Sequence, residues 1–170
     1  MIATPVRTPQ DTTAEARHAA RLAAVQAIYQ MELSGSDAEE VILEFVEHRF
    51  GHEQELSPGK PDEEFFAAVV RGVPTHQVEI DTSIADGLAE GWKLQRIDSI
   101  LRAILRAGVC ELIARRDVPA RVVIDQYVEI SHAFFSADEP SFVNAVLDKL
   151  AHRKRAAEFG ETPPDDELQF

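Results

Sequence analysis

His48 and His52 stand four residues apart, flanked by Glu47 and Glu53. On an unbroken helix that spacing sets two imidazoles on one face, which is how a zinc site starts. Here Gly51 falls between them, Arg49 occupies the place where a zinc protease carries its catalytic glutamate, and no third ligand is marked, so no metal is expected. Cys110 is the sole cysteine and reads as a small core hydrophobe rather than a nucleophile. No Gly-x-Ser-x-Gly elbow, Cys-x-x-Cys pair or glycine-rich phosphate loop occurs, and neither a cofactor nor an enzyme activity is expected. The remaining chemistry is recognition. Arg17 and Arg21 also lie at i, i+4, with His18 beside the first. Two guanidiniums on one helix face can bridge adjacent phosphates, although such a pair is also ordinary protein surface.

The elements that must position these groups are helical. The segment from Ala14 to Leu33 is alanine-rich, with Leu22, Val25, Ile28, Tyr29 and Leu33 on its apolar side. Tyr29, at the border of that stripe, suits either a protein interface or a core position with a paired hydroxyl. Gly35 ends this helix, and Ser36 or Asp37 caps the next, which carries Val41, Ile42, Phe45 and Val46. Residues 51–61 read as a loop. Asp62 opens a helix that Gly72 and Pro74 interrupt, and a further run with Val78, Ile80, Ile84 and Leu88 stops at Gly91. The span Leu94 to Arg115 is apolar on several sides and reads as the central helix. Pro119 then starts a helix through Val123, Tyr127, Ile130 and Phe134. A second one begins near Asp138-Glu139-Pro140, so the two form an αα-hairpin. Ile97, Leu101, Ile104, Leu105, Val123, Tyr127, Val146 and Leu147 are expected to be buried. No period-two pattern stands out, and the fold class is all-α.

Thirty acidic residues against seventeen basic ones give a net charge of −13, which repels polyanions at long range. Any nucleic-acid contact must therefore use a local basic patch, and a basic protein partner fits the balance. A length of 170 residues suggests one domain. Residues 1–13 read as a disordered arm and residues 157–170, with Pro163-Pro164 among acids, as a disordered acidic tail. No membrane span or signal peptide is visible, so a cytoplasmic location is expected.

Four runs, ARLAAVQAIYQ at 20–30, ILRAILRAGVCEL at 100–112, VPARVVIDQYVEISHAFF at 118–135 and FVNAVLDKL at 142–150, resemble the NusB family of bacterial transcription antitermination factors. The resemblance spans Arg17 to Lys154 in the family's order. It implies about seven helices in two packed subdomains, residues 14–91 and 92–156. It further implies an adaptor that binds boxA-type ribosomal RNA leader sequence jointly with the ribosomal protein NusE and joins the RNA polymerase antitermination complex, as a monomer or homodimer. The same helical unit also occurs ahead of RNA cytosine methyltransferase domains, but the glycine-rich βαβ pattern of such a domain is missing here. On the family's pattern the RNA surface would include Arg17, His18, Arg21, Asp138 and Phe142, with Tyr29 at the partner interface. This chain departs from it where His18, Ala19 and Ala20 thin the arginine cluster and where Ser141 replaces a basic residue. Phe142 is open to two readings, a base-stacking ring or a core residue. Asp138 is expected to cap its helix and Asn144 to bond between helices.

Overall fold

The computed structural model describes residues 9–50 and 60–169, which form seven α-helices and three 3₁₀ turns, with no strand among the described residues. Helix α1 spans Pro9–Ser34, α2 Ala38–His48, α3 Glu63–Thr75, α4 Gln77–Gly87, α5 Ser99–Ala114, α6 Ala120–Phe134 and α7 Glu139–Lys154. The first helix starts at Pro9, inside the segment expected to be a disordered arm, because proline is tolerated in a first helical turn where no N–H is needed. Residues 1–8 lie outside the described residues, as does His52 of the His48/His52 pair.

Aspartates set the helix starts. Asp37 accepts from the Glu40 N–H at 2.9 Å, Asp62 from Phe65 at 3.0 Å, and Asp98 from Ile100 and Leu101 at 2.9 and 3.2 Å. The Asp98 cap means that α5 begins at Ser99 rather than Leu94, and Leu94–Arg96 form a 3₁₀ turn ahead of it. Pro74 does not stop α3, which runs through it to Thr75.

Helix α5 is the hub. It packs against α1, α3, α4, α6 and α7, and one apolar cluster runs through all seven helices. Its Leu101, Ile104 and Leu105 are buried, as are Ile97, Val123, Tyr127, Val146 and Leu147. Close approach to α5 is bought with glycine at two points: a Cβ on Gly72 would stand 2.6 Å from Cys110 Sγ, and one on Gly108 3.0 Å from the Leu147 methyls. Leu33 and Val78, expected on apolar faces, are instead exposed; Leu33 is one residue from the end of α1 and Val78 one residue from the start of α4.

The acidic C-terminal segment is docked, contrary to the expectation of a disordered tail. It forms 3₁₀ turns at Ala156–Phe159 and Asp165–Gln169. The basic end of α7 holds it: Lys154 Nζ lies 2.7 Å from Glu167, Arg153 pairs with Asp166, and His152 meets Glu161 at 2.7 Å while stacking on Phe159. Composition hid this because the acids answer cations on the helix just before them.

Candidate nucleic-acid interface

The two arginines one turn apart on α1 have opposite fates. Arg21 is buried, 3 % exposed, and its guanidinium grips Glu111 of α5 through Nε at 2.9 Å and Nη2 at 3.0 Å. The Tyr127 hydroxyl of α6 donates to the same carboxylate. Burial first and the Glu111 charge second push the Tyr127 hydroxyl well above its ordinary range. Burial works against the charge on Arg21, yet Glu111 holds its pKa above the usual value. The triad ties α1, α5 and α6 together. Arg21 therefore belongs to the core and not to an exposed phosphate-binding pair, which corrects the expectation from its i, i+4 spacing. Spacing specifies a helix face but not what covers it.

Arg17 stays half-exposed. Its guanidinium lies over the Phe65 ring at 4.9 Å, sharing that ring with Arg21 at 4.8 Å and Arg115 at 4.9 Å. Its Nε is buried with no hydrogen-bond partner among the described residues. A groove of about 430 Å³ opens beside it, lined by Thr13, Ala14, Arg17, Asp117, Pro119 and Gln126 among others. His18, also half-buried, sets Nδ1 2.8 Å from Gln126 Oε1. Asp117 offsets part of the local positive charge; its hydrogen bonds to Arg115, at 3.0 and 2.9 Å, hold its carboxyl below the usual range. Arg115, Arg116 and Arg121 add cations to this end of the molecule, which the sequence reading passed over although Arg115 and Arg116 lie in the loop leading into α6.

At the far end of α6, 15 residues and on the order of 20 Å away, lies the turn into α7. Asp138 is exposed there. It occupies the N-cap position with helical backbone angles, and its side chain makes no capping bond, so the expected capping role is corrected. Phe142 is half-buried and lies against Trp92, with ring centroids 5.9 Å apart and planes inclined by 29°. Asn144 is exposed and shows no bond to another helix. Trp92 is the residue sequence reasoning missed: a lone aromatic in a loop has no periodicity to mark it. Arg17 with His18 and Asp138 with Phe142 are thus two separate patches rather than one cluster.

Tyr29 lies apart from both. It is half-buried and lines an apolar groove of about 500 Å³ together with Val25, Gln26, Leu33, Ile100 and Phe134. No helix is long and apolar enough to cross a membrane among the described residues.

Fold and faces together define an all-α binding scaffold. The chain belongs to the NusB family, whose profile matches residues 18–152. Among its relatives, the transcription antitermination protein NusB of Nitrobacter hamburgensis is 52 % identical over 155 residues, covering 91 % of this chain and 97 % of the relative. That of Maricaulis maris is 49 % identical over 152 residues, covering 89 % and 95 %. Two solved structures share the fold at 26 % identity. T. maritima NusB superposes with a TM-score of 0.68 over 97 % of this chain and 100 % of its own. A complex of the antitermination factors NusB and NusE with double-stranded RNA does so at 0.67 over 79 % and 95 %.

Proposed function

We propose that this chain is a non-catalytic transcription antitermination adaptor acting in the cytoplasm. It binds boxA-type RNA jointly with NusE and helps load the antitermination complex onto elongating RNA polymerase. Membership of the NusB family over residues 18–152 carries the reading. The similarity to a NusB and NusE assembly with RNA supports both partners. On this reading RNA runs from Arg17 and His18 toward Asp138 and Phe142, and the partner uses the Tyr29 groove. Arg21 supports the RNA face from beneath by fixing α1 against α5, because its donors are taken by Glu111.

The mechanism is addition of binding energies. Few cations here are available to phosphates, so the chain alone binds RNA weakly; joined to a basic partner, the second contact becomes intramolecular and the pair binds well. A second reading, a helical protein-interaction module without RNA recognition, is favoured by the commitment of Arg21 to the core. Gel retardation of a boxA-type RNA separates the two. The adaptor reading expects weak retention by the chain alone and tighter, more salt-sensitive retention with NusE. Unchanged RNA affinity when NusE is bound selects the module.

A further inference from the structure

We infer that Trp92 is a base-stacking residue, forming with Phe142 a two-ring step that receives one unpaired nucleobase of a single-stranded RNA. The inference rests on the RNA-binding reading above and adds a contact to it. Trp92 is 60 % exposed, a costly place for a large apolar ring unless something covers it. The indole is nonetheless held in position. Gly91 turns the chain with φ +86, the Trp92 N–H donates to the Ala89 carbonyl at 3.0 Å, and buried Leu94 and Ile97 anchor the segment that follows. Arg102 clamps that segment by donating to the Leu94 and Ile97 carbonyls at 3.1 and 2.7 Å. The loop is therefore fixed at its inner residues and open at its outer one, so a base would meet a preformed surface at little ordering cost.

The surroundings favour a nucleobase over a protein partner. Glu90, Gly91, Lys93, Gln95 and Arg96 are all exposed around the indole, which leaves no contiguous apolar patch for a protein side to cover. Two ring faces amid polar groups suit a flat aromatic ligand whose edges stay in water. Lys93 and Arg96 are exposed beside the indole in sequence, while Glu90 precedes it and the acidic Asp138 lies one turn before Phe142. With cations and acids roughly balanced, stacking rather than phosphate attraction dominates this contact.

The sequence contains a single tryptophan, so indole emission from this protein reports on Trp92 alone. The full chain would be titrated with a dye-labelled boxA-type single-stranded RNA, with binding read by anisotropy and stacking by tryptophan emission. In mixtures with NusE, the Trp92→Phe variant supplies the blank. Emission is expected to fall in step with RNA binding. Trp92→Ala should bind RNA about tenfold more weakly with unchanged melting temperature and NusE affinity, and Trp92→Phe should keep most of the affinity. RNA binding with unaltered emission and full affinity in Trp92→Ala overturns the stacking role and leaves the adaptor reading standing. Absence of RNA binding by the wild-type chain even with NusE overturns both.

Discussion

The two ends of the α6–α7 hairpin are built on opposite principles. At the closed end, Arg155 is buried and donates to four carbonyls of the α5 terminus and the following loop, at Leu112, Val118, Glu111 and Arg115, over 2.7 to 3.2 Å. Glu158 completes it, receiving Arg155 Nη1 at 2.7 Å and the Ala120 N–H at 3.1 Å, so the chain's end caps the start of α6. At the open end, Asp138 caps nothing, Asn144 faces solvent, and Phe142 leans on an exposed tryptophan. Satisfied polar groups hold a fold; polar and aromatic groups left without protein partners are available to a ligand. The contrast separates a knot of buried hydrogen bonds from a turn left open to a ligand, although the start of α6 also borders the Arg17 groove.

The strongest challenge to that division is Arg155→Ala, which strips five hydrogen bonds from a buried charge site. It is expected to cost roughly 3–5 kcal/mol in urea unfolding, with RNA and NusE affinities unchanged in the fraction that folds. A loss below about 1 kcal/mol would show that the closed end is not structural. Arg21 and Arg17 give the same test on α1. Arg21→Ala leaves Glu111 buried without its counter-charge and should cost about 3 kcal/mol of stability. Arg17→Ala should cost under about 1 kcal/mol, weaken RNA binding and lower the salt slope by about one. Truncation after Ala157 removes the Glu158 cap and the Glu167 contact, and should cost about 1–3 kcal/mol while taking away the Asp166 and Glu167 partners of Arg153; Lys154 keeps its ion pair with Glu79.

The Glu158 contact is also legible in pH. Burial pushes its carboxyl up, but the bonds from Arg155 and the Ala120 N–H prevail and hold it below the ordinary 4.5. A folded-state pKa that is lowered gives stability that is present above 4.5 and lost as pH falls through the folded value, so acid unfolding should be less steep in Glu158→Gln. The smallest effect belongs to the open end. Asp138→Asn should shift stability by less than about 0.5 kcal/mol, because no capping bond is lost, and raise RNA affinity a few-fold by removing a negative charge beside the phosphates. A stability loss near 1 kcal/mol would restore the capping role.

What could be read in the sequence was local or periodic. A cap at Ser36 or Asp37 and a helix start at Asp62 are legible because a cap bonds within three residues, with the structure choosing Asp37, and the α5 to α7 core follows from apolar steps of three and four. What could not be read depends on residues far apart in the chain. Arg21 meets Glu111 across 90 positions, and neither residue type announces burial. Leu33 and Val78 obey the helical period yet are exposed at helix ends, which periodicity within one segment does not reveal. The tail's acids had the composition of a solvated segment, and only folding places them against Arg153 and Lys154. Of the proposed site, Arg17, His18 and Phe142 come from the family pattern, whereas Trp92 has neither a period nor a motif to mark it.

The contact between Gly72 and Cys110 gives the molecule an internal clock. Burial first and the Glu111 charge second push the Cys110 thiol up to about 12. Thiol reagents attack through the thiolate, of which roughly one part in 10⁵ would exist at neutral pH even if the reagent could enter. The seam between α3 and α5 admits none while it is closed, since Gly72 leaves room for the sulfur and nothing more. Alkylation can therefore proceed only during moments when these two helices part. Its rate, measured with and without NusE or RNA, counts those openings and shows how far either one slows the breathing of the hub.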